Sequence, residues 1–180
     1  MIALTEDKRM LGYGVMTPYS NIFCFATTRR GGFSKGDYAS FNCTPYTGDD
    51  AESVRRNQEL LCNSMPQQPK ELVIPFQTHG TKVEVIDEKY LNATSDERTA
   101  MLQGVDALIT KEPGCCICIS TADCIPILLY DRKSQVVAAA HAGWRGTVNY
   151  IAGHTLDRMR ALYGTDGKDV IACSGPGISL

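Results

Sequence analysis

Four short apolar runs fill much of the second half of the chain: GVDALIT at 104–110, CCICIS at 115–120, IPILLY at 125–130 and QVVAAAH at 135–141. KEPG, TADC and DRKS separate them. Such brief, continuous apolar runs suit strands covered on both faces. The proline, glycine and aspartate clusters between them are turn signals. A chain of this pattern folds as a sheet with helices against it. Further strands are predicted over NIFCFATT (21–28), ELVIPFQTHG (71–80, with Pro75 at an end or bulge), KVEVID (82–87) and DVIACSGPGIS (169–179).

Two helices complete the pattern. The first spans about 51 to 63, capped by Asp49 or Asp50, with Val54, Asn57, Gln58 and Leu61 sharing a face. The second spans 146 to 164, with Val148, Ile151, Ala152, Thr155, Met159 and Leu162 as its apolar stripe and Gly164 as its stop. RRGGFSKGDYAS (29–40) and KYLNATSDERTAMLQG (89–104) read as loops. The fold class is therefore α/β, with mixed sheets flanked by helices. With no repeat or linker in 180 residues, a single domain over 1–180 is expected.

Charge narrows the partners. Eighteen basic against twenty acidic residues leave a net charge of −2, which gives no electrostatic reason to bind nucleic acid or an anionic membrane. The opening MIALTEDKRML is charged where a signal peptide would be apolar, and no apolar run approaches the ~18 residues of a membrane span. The expectation is a soluble, cytoplasmic protein. In a reducing compartment the eight cysteines are free thiols, ligands or nucleophiles. Cys115, Cys116 and Cys118 read as small hydrophobes in a buried strand, and Cys24, Cys43, Cys62 and Cys173 as core or half-buried thiols.

Cys124 is different. It stands at the start of the IPILLY run, after the polar STAD, where a packing cysteine would lie inside the run. DRKS can join IPILLY and QVVAAAH as an antiparallel hairpin. Cys124 then lies beside His141, which ends the second strand and opens the turn AGWRG. A thiol beside an imidazole supports nucleophilic catalysis, with histidine lowering the thiol pKa. It also supports metal binding, where Cys and two His leave a fourth position open. His79, at a strand end in QTHG, is a candidate third ligand and favours the metal. His154 falls off its helix stripe and is expected in solvent. The RRGGFSKG loop brings Arg29 and Arg30 to an anion or forms a solvated turn; it lacks the ending of a P-loop. Trp144 can stack on a flat ligand or pack, and Arg145 can contact phosphate.

TTRRGGFS, FNCTPYTGDD, VRRNQELL, PFQTHGTKV, GVDALIT, STADCIPILLYD, AAAHAGWRGT and SGPGIS occur in this order. From about residue 20 onward the chain resembles the laccase-domain proteins. These were long called multicopper polyphenol oxidase-type and are now regarded as purine nucleoside phosphorylases. The resemblance implies stacked sheets with outer helices, similar to the catalytic domain of bacterial deamidating toxins. It implies zinc held by His79, Cys124 and His141, the same residues serving catalysis. It implies phosphorolysis of adenosine, inosine or methylthioadenosine to base and ribose 1-phosphate, with adenosine deamination as a second activity. On this reading the partners are a purine nucleoside and phosphate, and assembly into a homo-oligomer is admitted. Arg29 and Arg145 are assigned to phosphate and Asn42 to the sugar. Two departures stand out. Asn57-Gln58 replaces the Asn-Arg pair of many members, and family members continue beyond GPGISL, so the family's C-terminal part is expected to be missing. The alternatives are a metal-free amidase or hydrolase using Cys124 and His141, a copper-dependent phenol oxidase, and a binding protein keeping an inherited fold. Three histidines are too few for a multicopper cluster, which disfavours the copper reading.

Overall fold

The computed structural model describes residues 1–177, and the chain divides into two units, Met1–Pro69 and Lys70–Leu180. In the first unit, β1 (Ile2–Ala3), β2 (Met10–Gly12) and β3 (Phe25–Thr27) form an antiparallel sheet in that order. The strand predicted over 21–28 is confined to three residues. Helix α1 (Ala51–Asn63) follows the predicted bounds, and Asp50 caps it by accepting the Ser53 amide. Val54, Asn57 and Leu61 are its buried face.

Asn57 is the polar centre of this unit. It is fully buried, so each of its polar atoms needs a partner. Its oxygen accepts the Phe33 amide, and its Nδ2 donates to Ser34 Oγ, the Ser40 carbonyl and the Asn42 carbonyl. Gln58 Nε2 donates to the Cys43 carbonyl at 2.8 Å. The Asn-Gln pair thus fastens the irregular 33–43 segment to α1.

The second unit is built from β4 (Glu71–Val73), β5 (Lys82–Ile86), α2 (Glu88–Asn92), α3 (Ser95–Met101), β6 (Val105–Thr110), β7 (Cys115–Ile117), β8 (Ile125–Asp131), β9 (Val136–Ala142), α4 (Trp144–Val148), α5 (Ile151–Tyr163) and β10 (Val170–Ser174). The main sheet runs β10-β8-β9-β6-β5, antiparallel except for the β6/β5 pair. The expected β8–β9 hairpin is present, with Ile125 opposite Ala142 and Pro126 opposite His141. The mixed α/β class follows as expected from the sequence.

Strand alternation sorts the faces. Val136, Ala138, Ala140 and Ala142 pack with Ile151 and Met159 of α5. Alanines there let the helix approach closely, and each large apolar side chain buried on α5 contributes about 2 kcal/mol. His141, at an odd position, belongs to the opposite face. Val73, Ile86, Tyr90, Leu102, Val105 and Leu108 form a second core of β4, β5, β6 and the α2–α3 region.

Several predicted elements differ. Residues 89–104 are mostly helical rather than loop, because Thr94 and Glu97 form a reciprocal capping box that starts α3. The predicted 146–164 helix is two helices. Tyr150 takes φ +60 between them, which leaves Val148 69% exposed and outside the buried stripe. Leu162 is also exposed, while Ile151, Thr155 and Met159 are buried as expected, and Gly164 ends α5 at φ +67. The strand predicted over 71–80 stops at Val73, before Pro75. CCICIS is half-buried rather than buried, because β7 pairs only with β4, in a separate two-stranded sheet. None of the eight cysteines is in a disulfide. Cys116 Sγ lies 3.6 Å from Cys118 Sγ, but among the described residues no third ligand-type side chain joins them. The SGPGIS turn lies partly outside the described residues. Among the described residues no helix is long and apolar enough to cross a membrane.

Candidate metal centre

Register places the candidate residues. In the β8/β9 ladder Ile125 faces Ala142, so one step outward Cys124 faces Gly143. In the β6/β9 ladder Ala107 faces Ala140, so one step outward Asp106 faces His141. His79 arrives from the loop between β4 and β5. The ligand atoms of His79, Cys124 and His141 all lie within 4.8 Å of one another. The two imidazoles meet edge to face, with centroids 4.7 Å apart. The sequence-predicted trio is therefore one cluster. His141 is buried, Cys124 half-buried and His79 exposed, so the cluster opens to solvent on the His79 side.

Sequence reasoning missed Asp106. It is fully buried and accepts four hydrogen bonds. The amides of Thr78, His79 and Gly80 donate at 3.2, 3.0 and 2.7 Å, and His141 Nδ1 lies 2.8 Å from Oδ1. Three successive amides converging on one carboxylate form an anion nest. The nest explains why His79 can hold φ +61, an unfavourable region for a residue with a Cβ. Burial pushes the Asp106 carboxyl up, but the His141 bond and the Gly80 and Thr78 amides outweigh it and hold the group below its ordinary value. Asp106 is then ionised and can only accept. His141 Nδ1 must carry the proton, which leaves the Nε2 lone pair for the cluster. A carboxylate–imidazole pair of this kind orients a ligating histidine. The cue in the sequence was an aspartate inside the apolar GVDALIT run; which strand β6 pairs with was not legible there.

The donor set fits a metal ion. Two imidazoles and one thiolate suit zinc and leave a fourth position open. Gly143 supplies a second indication, because a Cβ there would lie 2.9 Å from His79 Cδ2 and 3.1 Å from Cys124 Sγ. Its φ of −68° suits any residue, so glycine is required by space alone. If the cluster holds zinc, Gly143→Ala is expected to fold normally yet bind it about 10–100-fold more weakly, the scale of disturbing a supporting group. Competition with a chromophoric chelator measures this.

The other predicted residues are placed as follows. Arg145 is exposed on α4, two residues past Gly143, with its guanidinium 5.1 Å from the Trp144 ring centroid. Trp144 is 70% exposed, so it does not pack in the core. Arg29 and Asn42 belong to the first unit. Arg29 donates twice to the Ala39 carbonyl, and Asn42 Nδ2 donates to Thr47 Oγ1 and Asp49 Oδ2. Both hold local loop structure. His154 is exposed, as expected.

Known proteins bear on this arrangement. The family described as multi-copper polyphenol oxidoreductase laccase matches residues 23–180. A protein of Bacteroides thetaiotaomicron named purine nucleoside phosphorylase is 63% identical over the whole chain, which covers 67% of that protein. A protein from an unknown prokaryotic organism, named adenosine deaminase RL5, is 41% identical over 150 residues, covering 78% of this chain and 57% of that one. The crystal structure of YlmD from Geobacillus stearothermophilus superposes with a TM-score of 0.85 at 30% identity, covering 97% of this chain and 64% of that one. The chain thus spans about two thirds or less of the length of these relatives. Matched by the family model over residues 23–180 and 63% identical over its whole length to one relative, the chain belongs to the multi-copper polyphenol oxidoreductase laccase family.

Proposed function

We propose that the protein is a zinc-dependent purine nucleoside phosphorylase, converting adenosine, inosine or methylthioadenosine and phosphate to free base and ribose 1-phosphate. The observation that carries this reading is the His79–Cys124–His141 cluster with its buried Asp106 support, in a chain 63% identical to a protein bearing that name. Zinc held by these three residues supplies Lewis-acid polarisation of an oxygen. Asp106 keeps His141 in one tautomer and one orientation. Gly143 keeps the cluster's wall free of side chain. Arg145 offers positive charge to phosphate, and the exposed Trp144 offers a flat face to a purine. The roles of Arg29 at phosphate and Asn42 at the sugar rest on the family resemblance alone. Adenosine deamination at the same centre is proposed as a second activity, supported by the relative named adenosine deaminase. The protein is taken to act in the cytoplasm.

Purified protein is expected to release hypoxanthine from inosine only when phosphate is present. Chelation should abolish the release and added zinc restore it. Phosphate-independent release, or none with zinc bound, refutes phosphorolysis.

One observation favours a second reading. Cys124, His141 and Asp106 are arranged as thiol, imidazole and orienting carboxylate, the grouping of a cysteine hydrolase. A metal-free amidase would survive chelation and His79→Ala. The metalloenzyme would survive neither.

A further inference from the structure

We infer that Gln77 is a positioning residue that clamps together the two loops carrying His79 and Cys124. The inference rests on reading the cluster as a metal centre. The geometry is that of a side chain imitating a strand. Gln77 Nε2 donates to the Ser120 carbonyl at 2.8 Å, and Gln77 Oε1 accepts the Ser120 amide at 2.7 Å. One amide side chain therefore satisfies both backbone groups of a residue 43 positions away.

The need for such a clamp follows from the surroundings. The β4/β7 ladder ends at Val73 and Ile117, extended once by the Cys118 amide donating to the Val73 carbonyl. Beyond it, residues 119–124 have no regular structure until β8 begins at Ile125. Cys124 is the last residue of that irregular segment. On the other side, residues 77–81 are also irregular. The Asp106 nest fixes Thr78, His79 and Gly80, and Gln77 is the residue immediately before them. The clamp therefore ties the Cys124 segment to the nest-held loop, four residues before the thiol and two before the imidazole. Asp106 sets His79 against His141, and Gln77 sets the Cys124 segment against His79. A gathered triad loses little further freedom when it takes a metal, which is how preorganisation raises affinity.

Gln77→Ala removes both bonds. Gln77→Leu also removes both while keeping most of the side-chain bulk, so agreement between the two isolates hydrogen bonding from packing. Zinc affinity is measured by chelator competition, and melting temperature on the metal-free proteins. The expected result is a 10–100-fold loss of zinc affinity in both variants, with metal-free melting within a few degrees of the parent. Affinity within twofold of the parent in either variant overturns the inference. So does a large fall in metal-free melting with unchanged affinity, which marks an ordinary structural residue. A parent protein that binds no zinc overturns both the clamp and the metal centre. A parent that binds zinc, loses it through Gln77 variants and yet cleaves no nucleoside leaves the clamp standing and refutes only the phosphorylase reading.

Discussion

Asp106→Ala is expected to destabilise the Lys70–Leu180 unit by about 3–5 kcal/mol and, on the proposed zinc reading, to weaken zinc binding about 10–100-fold. The stability loss is that of removing several hydrogen bonds to a buried carboxylate, about 1.5–3 kcal/mol each, with part recovered by water at the exposed amides. Four donors lose their acceptor. The Thr78 and His79 amides lie near solvent and can recruit water, but His141 is 3% exposed and its Nδ1–H cannot. Without the nest, nothing offsets the positive φ of His79. Asp106→Asn should fall between, because it keeps one acceptor but turns an NH2 toward amide donors. Urea unfolding of metal-free protein measures the loss. The contribution depends on pH with a definite sign. Asp106 is held below its ordinary value when folded. Its stabilisation is complete above the unfolded value of ~3.9 and is lost as pH falls through the lower folded value. The stability gap between the parent and Asp106→Ala should therefore be constant near neutrality and shrink below about pH 4. A gap that grows on acidification would contradict the assignment.

On the proposed zinc reading, Cys124→Ala and His141→Ala are each expected to weaken zinc binding by about 3–4 kcal/mol, roughly 100- to 1,000-fold, the share of one ligand in a site worth ~10–16 kcal/mol. On the proposed phosphorylase reading, nucleoside cleavage disappears with the metal. The two variants should separate when metal-free. Cys124 is half-buried at a strand end, so its removal should leave stability nearly unchanged. His141 donates to buried Asp106, and its loss leaves a carboxylate short of a partner, at a cost of about 1–3 kcal/mol. Equal metal-free stability of the two would mean that the Asp106–His141 bond contributes nothing. Metal analysis that finds full zinc in either variant would remove that residue from the centre.

Much of this was legible in the chain. The apolar runs and their turns gave the hairpin that brings Cys124 near His141, since a short loop between two strands leaves few other pairings. An aspartate cap at 49 or 50 and the Val54–Leu61 spacing gave α1, and the structure selects Asp50 as the cap. Thr94-x-x-Glu97 was also legible as a helix start, and the polar composition around it concealed α3. Tyr150 was not legible: a tyrosine carries no local signal for a left-handed backbone, and the break it makes turned Val148 out to solvent.

The sequence by itself determined the main-sheet strands, α1, the candidate ligand types and the hairpin, because these depend on periodicity and on residues close along the chain. Only the tertiary structure decided that β6 pairs with β9, which sets Asp106 opposite His141, and that Gln77 reaches Ser120. Those pairings join segments 35 and 43 residues apart. Contacts at such separations are selected by burial and hydrogen bonding of the whole sheet, which no local pattern encodes.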